Sequence, residues 1–268
     1  MGTAEQIIVF EGSVSDRNPR GIGGAKALGA AIARRYPLQA LPVGETAYSY
    51  ATDWTAALEA GGEDLRRLAE ALDRVQGAGQ ASIAAAARCA ASVATLPVIA
   101  RRHPDAVIVW FDAHADSNTP ASSGTSYLGG MVLSGAAGLW DSGHGSGLDL
   151  NNVILVGARD IDPYEQSLID AGRIGHIAVG PNTAAELAAM IAGRPVYIHL
   201  DCDVLEPGLV PTEYTAPDGL TFGGLGACME VLARGEVLGL EIAEFEGDDG
   251  EALLDALQPL LSRLCSGQ

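Results

Sequence analysis

Eight short apolar runs, separated by longer segments rich in Ala and Leu, constrain the fold of this chain more than any other feature of its sequence. Near-continuous apolar character over a few residues is typical of parallel strands that are buried on both faces. We therefore predict eight strands. They span residues 7–10, 38–43, 82–87, 106–111, 153–158, 175–179, 196–201 and 237–242.

The segments between these runs have a helical composition, as in residues 23–36, 63–75 and 92–103. Alternation of buried strands with helices predicts right-handed βαβ units that build one open sheet with helices on both faces. The expected fold class is therefore α/β, a three-layer α-β-α arrangement around a central, eight-stranded, mostly parallel sheet. No repeat, linker or charge block divides the sequence, so we predict a single domain over residues 1–268.

The chain is acidic, with a formal net charge of −18 at pH 7. This charge predicts repulsion from nucleic acids and anionic membranes, although solubility alone explains it equally well. No apolar stretch reaches the roughly 18 residues that a membrane-spanning helix needs, and the first ten residues lack the features of a signal peptide. The four cysteines form no CxxC pair. We therefore expect a soluble cytoplasmic protein with reduced thiols and with neither nucleic-acid nor membrane partners.

Metal-ligating side chains follow two of the predicted strands, at the point where each strand ends. The run AVIVWFDAHAD places Asp112, His114 and Asp116 after one strand, and VYIHLDCDVLEP places Asp201 and Asp203 after another. Residues i, i+2 and i+4 of an extended segment point the same way, and ligands bind beyond the carboxyl ends of parallel strands. We therefore expect these five side chains to meet at one site.

Clustered carboxylates in a cleft repel one another unless cations neutralise them. Oxygen ligands with one or two nitrogens favour Mn²⁺ over a closed structural zinc site, and shared carboxylates would allow two ions roughly 3.5–4 Å apart. A single Asp at such a position is more simply explained as a helix cap or a loop residue. The pairing of two strand-end motifs argues against that explanation, so the sequence predicts a site for two manganese ions.

The motifs DAHAD (112–116), DCDVLEP (201–207) and LEIAEFE (240–246) resemble those of the ureohydrolases, the family of arginase, agmatinase and formimidoylglutamase. The resemblance covers essentially the whole chain. It implies a central eight-stranded parallel sheet, a dimanganese site, and hydrolysis of the guanidino group of a small amino acid. The resemblance therefore predicts a metal-dependent hydrolase whose partner is a small-molecule guanidino amino acid.

The sequence departs from the family pattern at positions that matter for the chemistry. The family's Gly-Gly-Asp-His-Ser turn reads AARCAAS (86–92), so the resemblance makes Cys89 the replacement for a histidine metal ligand. A thiolate can bind a metal, but a buried Cys is also a common core residue. If Cys89 binds hard Mn²⁺ poorly, one of the two ions would be labile. Arginases also carry an acid/base histidine where this chain has Gly129.

These departures resemble a narrower branch of the family, which hydrolyses Nω-hydroxy-L-arginine to hydroxyurea and L-ornithine. The segment YLGGMVLSGAAGLWDSGHGSGL (127–148) is also similar in that branch. Hydroxyarginine is therefore the predicted substrate. Two alternatives stay open: the same chemistry on arginine or another guanidino or amidino acid, and a family member that binds metal or ligand without catalysis.

The resemblance also assigns residues to the amino-acid end of the substrate. It implies that Asn118 and Thr125 hold the α-carboxylate and that Asp162 holds the α-amino group. Neutral donors together with one carboxylate suit an amino-acid zwitterion. Asn118 and Asp162 are equally residues that organise turns, and this remains the alternative for each of them.

Glu244 matches the family's guanidinium-binding Glu, whose carboxylate can accept two parallel hydrogen bonds. We predict Glu241, three residues earlier, in the same substrate-binding set but behind Glu244, without direct contact with the substrate. Glu246 shares the strand parity of Glu244 and is the residue most easily confused with it. Asp116 is expected to pass a proton to the departing amine, so Asp116 and Glu244 are the predicted catalytic residues.

Two histidines and the oligomeric state complete the expectations. His176 and His199 lie inside apolar runs and are expected to be core residues. Arginase oligomers depend partly on C-terminal extensions, whereas this sequence ends soon after its last predicted helix. A monomer or a dimer is therefore expected.

Overall fold

The computed structural model describes residues 1–45 and 47–266, and in it eight strands form one sheet in which every pairing is parallel. The α/β class and the eight predicted strands are thereby confirmed. Residues 46, 267 and 268 of the predicted domain lie outside the described residues. The strands are β1 (Gln6–Phe10), β2 (Gln39–Val43), β3 (Ser82–Ala85), β4 (Val107–Phe111), β5 (Val153–Val156), β6 (Gly175–Ile177), β7 (Val196–Asp201) and β8 (Val237–Ala243).

Eight α-helices connect or flank these strands in the described part of the chain. One begins well before the predicted range 63–75, because Asp53 caps it by accepting hydrogen bonds from the backbone N–H groups of Thr55 and Ala56 at 2.9 and 3.0 Å. No helix within residues 1–45 and 47–266 has both the length and the apolar character needed to cross a membrane. The helices are α1 (Arg20–Arg35), α2 (Trp54–Gly77), α3 (Ser92–Arg102), α4 (Val132–Ala136), α5 (Pro163–Asp170), α6 (Thr183–Ile191), α7 (Phe222–Leu232) and α8 (Glu251–Ser266).

Alternate residues of the strands pack into two hydrophobic clusters, one on each face of the sheet. In β4, Val107 and Val109 pack in the cluster that includes residues of α1, α6, α7 and α8. Ile108 and Trp110 pack on the other face, with residues of α2, α3 and α4. The sheet is thus covered by helices on both faces, which confirms the predicted three-layer arrangement.

The strand order determines which chain segments meet at the site. The order is β2-β1-β3-β8-β7-β4-β5-β6, so β3, β8, β7 and β4 occupy the centre of the sheet. Because all strands are parallel, their carboxyl ends lie at the same edge. Segments that begin near residues 86, 112, 202 and 244 therefore come together there, although they are far apart in the sequence.

Candidate metal centre and substrate cavity

Asp112 and His114 lie directly after β4, and their side chains contact each other. The Asp112 carboxylate accepts hydrogen bonds from the His114 backbone N–H at 2.7 Å and from the indole N–H of Trp110 at 3.0 Å. His114 Nδ1 lies 3.2 Å from Asp112 Oδ1 and 3.0 Å from Asp203 Oδ2. Asp112, His114 and Asp203 thus form one group, here called the outer group, whose ligand atoms all lie within 4.8 Å of one another.

A second group, here called the inner group, is fully buried and consists of Cys89, Asp112, His199 and Asp201. Cys89 begins the 3₁₀ turn Cys89–Ala91 after β3, and its thiol donates a hydrogen bond to Asp201 Oδ2 with an S···O distance of 2.6 Å. The Nε2 atom of His199 is 3.2 Å from the Cys89 sulfur. The ligand atoms of this group also lie within 4.8 Å of one another. Cys89 therefore faces the acidic cluster instead of filling the core alone.

The structure gives the surroundings of two residues for which predictions were made, His199 on β7 and Glu241 on β8. His199 is buried as predicted, but its ring edge faces Cys89, and its ring face stacks on Trp110 with 3.6 Å between the centroids. Glu241 is not among the described residues that line the cavity, and its role toward the substrate stays a prediction. Its carboxylate instead lies 3.3 Å from His199 Nδ1 and accepts a hydrogen bond from the Tyr197 hydroxyl at 3.0 Å. The physical reason is the strand register, which pairs Glu241 with His199 inside the sheet.

Burial and mutual repulsion act together on the carboxylates of this site. Burial raises the pKa of Asp116, Asp201 and Asp203, and neighbouring carboxylates raise each pKa further. Burial lowers the pKa of His114, but its contacts with Asp112 and Asp203 outweigh burial and hold the pKa well above its ordinary value. A buried set of oxygen, nitrogen and sulfur donors with so much unbalanced negative charge fits divalent cations, which would take the place of protons.

Asp116 lies in the same cavity but belongs to neither group of ligand atoms found among the described residues. Its backbone adopts a φ of 45°, a left-handed conformation that Asp tolerates better than most residues. Its carbonyl accepts a hydrogen bond from the Leu133 backbone N–H at 3.0 Å, which ties this turn to α4. The role of Asp116 as a metal ligand stays a prediction.

The cavity has a volume of about 260 Å³, and its wall includes Asn118, Thr125 and Asp162. The side-chain amide of Asn118 donates a hydrogen bond to Asp162 Oδ2 at 2.8 Å. The buried Glu165 joins the two segments, because it accepts hydrogen bonds from the backbone N–H groups of Ser117 at 2.8 Å and Asp162 at 3.0 Å. Sequence reasoning missed Glu165, although the spacing in DPYE at the start of α5 is the signal of a capping box.

Glu244 lines the cavity, but its carboxylate is already paired with a buried arginine that sequence reasoning missed. Arg88 Nη1 is 2.6 Å from Glu244 Oε2, and the Cys89 backbone N–H donates a hydrogen bond to Glu244 Oε1 at 3.0 Å. Arg88 is only 1% exposed, and its other nitrogens lie 3.1 Å from an Asp16 oxygen and 2.9 Å from a Glu246 oxygen. The structure therefore separates Glu244, which faces the cavity, from Glu246, which pairs with Arg88 behind it.

The burial of Asp16 predicts a pH dependence of stability. Burial raises the pKa of Asp16 from 3.8 to about 6, since Arg88 and local hydrogen bonds offset it only in part. A folded-state pKa above the unfolded value means that protonation stabilises the fold. This stabilisation is full below about pH 4 and is lost as the pH rises through about 6. Urea denaturation measures the free energy of unfolding of the metal-free protein at each pH. Between about pH 4 and pH values above 6, we expect this free energy to fall by about 3 kcal/mol more in the parent than in the Asp16→Asn variant.

The other titrating groups are common to the two proteins, so the difference between them comes from Asp16 and from the carboxylates that share Arg88 with it. The exposed Asp170 provides the control, because Asp170→Asn is expected to leave the pH dependence unchanged. If the free energy of unfolding changes with pH in the same way in the parent and in Asp16→Asn, the expectation is wrong.

Gly129 leaves room for an aromatic ring in the cavity wall. A Cβ atom at Gly129 would overlap the ring of Tyr127. Tyr127 thus fills the space beside the position where the family resemblance places a histidine. Its hydroxyl is buried and has no hydrogen-bond partner among the described residues. The cavity therefore has a tyrosine where arginases are expected to have an imidazole.

Gly129→Ala is expected to lower the free energy of unfolding by about 1–3 kcal/mol, because the added methyl group displaces the Tyr127 ring. Gly130→Ala is the matched control, since a Cβ atom there meets nothing within 4 Å. For that variant we expect a change below about 0.5 kcal/mol. Urea denaturation measures both, and equal effects would show that the ring moves aside without cost.

Two sequence comparisons place the chain among known proteins. The protein-family model described as the Arginase family matches residues 16–251 of the sequence. Over 95% of its length the chain is 42% identical to the N(omega)-hydroxy-L-arginine amidinohydrolase of Streptomyces lavendulae, and the aligned part covers 94% of that protein. The chain is also 27% identical, over 68% of its length, to the arginase of Bacillus caldovelox, 66% of which is covered.

The fold is similar to that of solved arginases. The crystal structure of Entamoeba histolytica arginase in complex with L-ornithine matches with a TM-score of 0.83 at 19% identity, covering 97% of this chain and 99% of that one. At this level of identity the likeness is one of fold. It confirms the architecture that the resemblance implied.

Proposed function

Because the chain belongs to the arginase family, as its DAHAD and DCDVLEP motifs predicted, we propose that it hydrolyses Nω-hydroxy-L-arginine to hydroxyurea and L-ornithine. The observation that carries this proposal is the similarity, along nearly the whole chain, to the amidinohydrolase of Streptomyces lavendulae. The cavity adds chemical support, since acidic, amide and thiol groups converge in it.

The proposed substrate has a zwitterionic end and a guanidino-like end, and the cavity offers groups for both. Asn118 and Asp162, which are hydrogen-bonded to each other, would bind the α-carboxylate and the α-amino group. Thr125 would assist at the exposed rim of the cavity. Glu244 would accept hydrogen bonds from the N–H groups at the other end.

The ion pair between Arg88 and Glu244 supports the hydroxylated substrate over arginine. Arg88 offsets the charge of Glu244, so this carboxylate attracts a cationic guanidinium less strongly. Burial raises the pKa of Glu244 to about 7 even though Arg88 lowers it. An N-hydroxyguanidine is less basic than a guanidine. Its neutral form, which a nucleophile attacks more readily, is therefore easier to reach in this cavity.

Two divalent cations, with Mn²⁺ as the proposed ion, would bind at the outer group and at the inner group around Cys89 and Asp201. Such ions supply Lewis acidity that makes water nucleophilic at neutral pH. Proton transfer then falls to groups of the chain itself, because Gly129 provides no imidazole. Asp116 lines the cavity beside both groups of ligands, so we assign it the transfer of a proton to the departing amine.

Steady-state hydrolysis of Nω-hydroxy-L-arginine and L-arginine, side by side after loading with Mn²⁺, tests the proposal. Ornithine is a product of both reactions, so one assay serves both. We expect kcat/KM to be at least about tenfold higher for the hydroxylated substrate. Equal or better turnover of arginine would replace the proposal by an arginase. If metal binds but neither substrate is hydrolysed, the proposed substrate is wrong, and other guanidino and amidino acids are tested next, before a member without catalysis is concluded.

We further propose that the protein is cytoplasmic and acts as a monomer or dimer. All four cysteines are free, which suits a reducing compartment. Cell fractionation tests the location, and light scattering of the purified protein tests the oligomeric state. A trimer or hexamer in solution would contradict the second part.

A further inference from the structure

The inner group contains an imidazole that the family motifs do not account for. We propose that His199 is a ligand of the metal ion bound by Cys89, Asp112 and Asp201, and that Glu241 holds the His199 ring in the ligating orientation. His199 acquires this role only if a divalent ion binds here, as the proposed function requires.

The placement of His199 directs its ring into the inner group. His199 lies two residues before Asp201 on β7, so the two side chains project from the same face of the sheet. Its Nε2 atom is 3.2 Å from the Cys89 sulfur, and the ligand atoms of the group lie within 4.8 Å of one another. Zn²⁺, for example, binds nitrogen at about 2.0–2.1 Å and sulfur at about 2.3 Å. One divalent ion of this size can therefore bind both His199 Nε2 and the Cys89 sulfur.

The hydrogen bonds of His199 leave a lone pair directed at this group. Nδ1 lies 3.3 Å from Glu241 Oε1 and 3.1 Å from Ser92 Oγ. A carboxylate only accepts hydrogen bonds, so Glu241 favours the tautomer with its proton on Nδ1 and a lone pair on Nε2. The Cys89 thiol next to Nε2 donates its proton to Asp201 at 2.6 Å. The buried Nε2 lone pair thus faces a sulfur atom that does not donate a hydrogen bond to it. A bound cation would accept this lone pair.

The surroundings of His199 also fix the orientation of its ring. The Glu241 carboxylate accepts hydrogen bonds from the Tyr197 hydroxyl at 3.0 Å and from the Ser92 hydroxyl. The His199 ring stacks on Trp110 with an interplanar angle of 6°. A carboxylate that accepts the second N–H of a ligating histidine is a recurrent feature of metal sites, where it sets the tautomer and the ring angle. Glu241 is therefore a positioning residue in this proposal.

Co²⁺ is the probe for the first experiment, because thiolate and imidazole ligands change its spectra. In a His114→Ala variant, His199 is the only imidazole left in the two groups of described residues. We expect X-ray absorption at the cobalt edge of this variant to show sulfur and imidazole scattering from one ion. A thiolate-to-cobalt charge-transfer band should accompany it. Sulfur scattering without imidazole scattering would overturn the proposal.

Variants of the full-length protein provide the second experiment, with Co²⁺ affinity measured by chelator competition. His199→Ala is expected to weaken binding of the ion that carries the charge-transfer band by at least about tenfold, and Glu241→Gln by about tenfold. The band itself should persist in both variants and disappear in Cys89→Ser. His144→Ala is the control, because His144 lies in a loop and in neither group.

Unchanged Co²⁺ affinity in His199→Ala would show that the imidazole only contacts the thiol, which would overturn the proposal. If that variant does not fold, the X-ray absorption of His114→Ala still decides the question. Neither experiment uses substrate. A protein that shows the expected ligands but hydrolyses neither amino acid would therefore retain His199 as a ligand and refute the proposed function alone.

Discussion

Asp112→Asn is expected to lower the rate of Nω-hydroxy-L-arginine hydrolysis by more than about 100-fold. Asp112 belongs to both the inner and the outer group, so its loss weakens both metal sites. Changes to residues that merely support metal ligands already cost about 10- to 100-fold. Asparagine keeps the size of the side chain and an oxygen that can accept the Trp110 hydrogen bond, so the fold should be retained.

Two measurements on the Asp112→Asn variant separate loss of metal from loss of fold. The first is kcat/KM with saturating Mn²⁺. The second is the rise in Tm on adding Mn²⁺, which reports metal binding to the folded state and should be lost in the variant. Asp170→Asn, at an exposed position of α5, should leave both quantities unchanged. A variant that keeps its activity and its metal-dependent Tm would remove Asp112 from the metal centre.

Arg88→Ala is expected to lower the free energy of unfolding by about 3–5 kcal/mol, because it leaves buried carboxylates without their cation. The carboxylates of Asp16 and Glu244 are almost completely buried, and each lies within about 3 Å of the Arg88 guanidinium. Urea denaturation at neutral pH measures the loss. The loss should become smaller at acidic pH, where protonation removes the uncompensated charges.

Arg101→Ala is the matched control for this substitution. Arg101 also pairs with a carboxylate, that of Asp73 at 2.7 Å, but its side chain is 61% exposed. Exposed pairs contribute little, so a change below about 1 kcal/mol is expected. Similar losses in the two variants would show that burial of the Arg88 pairs adds nothing to stability.

The residues of the site that could be predicted from the sequence are those that lie at the carboxyl end of one strand. Asp112 and His114 follow β4 with the two-residue spacing of an extended segment, and Asp201 and Asp203 follow β7 in the same way. A buried parallel strand is visible as an apolar run, and its carboxyl end is where ligands bind. Local spacing was therefore sufficient to bring these four side chains together.

Features that depend on contacts between distant segments could not be predicted in this way. His199 and Glu241 each look like strand residues, and only the register between β7 and β8 makes them neighbours. The ion pairs of Arg88 could not be predicted for the same reason, because its partners Asp16 and Glu244 come from opposite ends of the chain. The available signal was an arginine in the turn where the family has an aspartate, which reverses the charge beside the cavity.

The overlap between position 129 and the Tyr127 ring also limits how this protein can evolve. A histidine introduced at position 129 alone would collide with the ring. A smaller residue introduced at position 127 alone would leave a void in the cavity wall, which is destabilising as well. The two changes are coupled because the side chains compete for one space. A histidine at position 129 is therefore expected to need a compensating change at position 127 before it can occupy this part of the cavity wall.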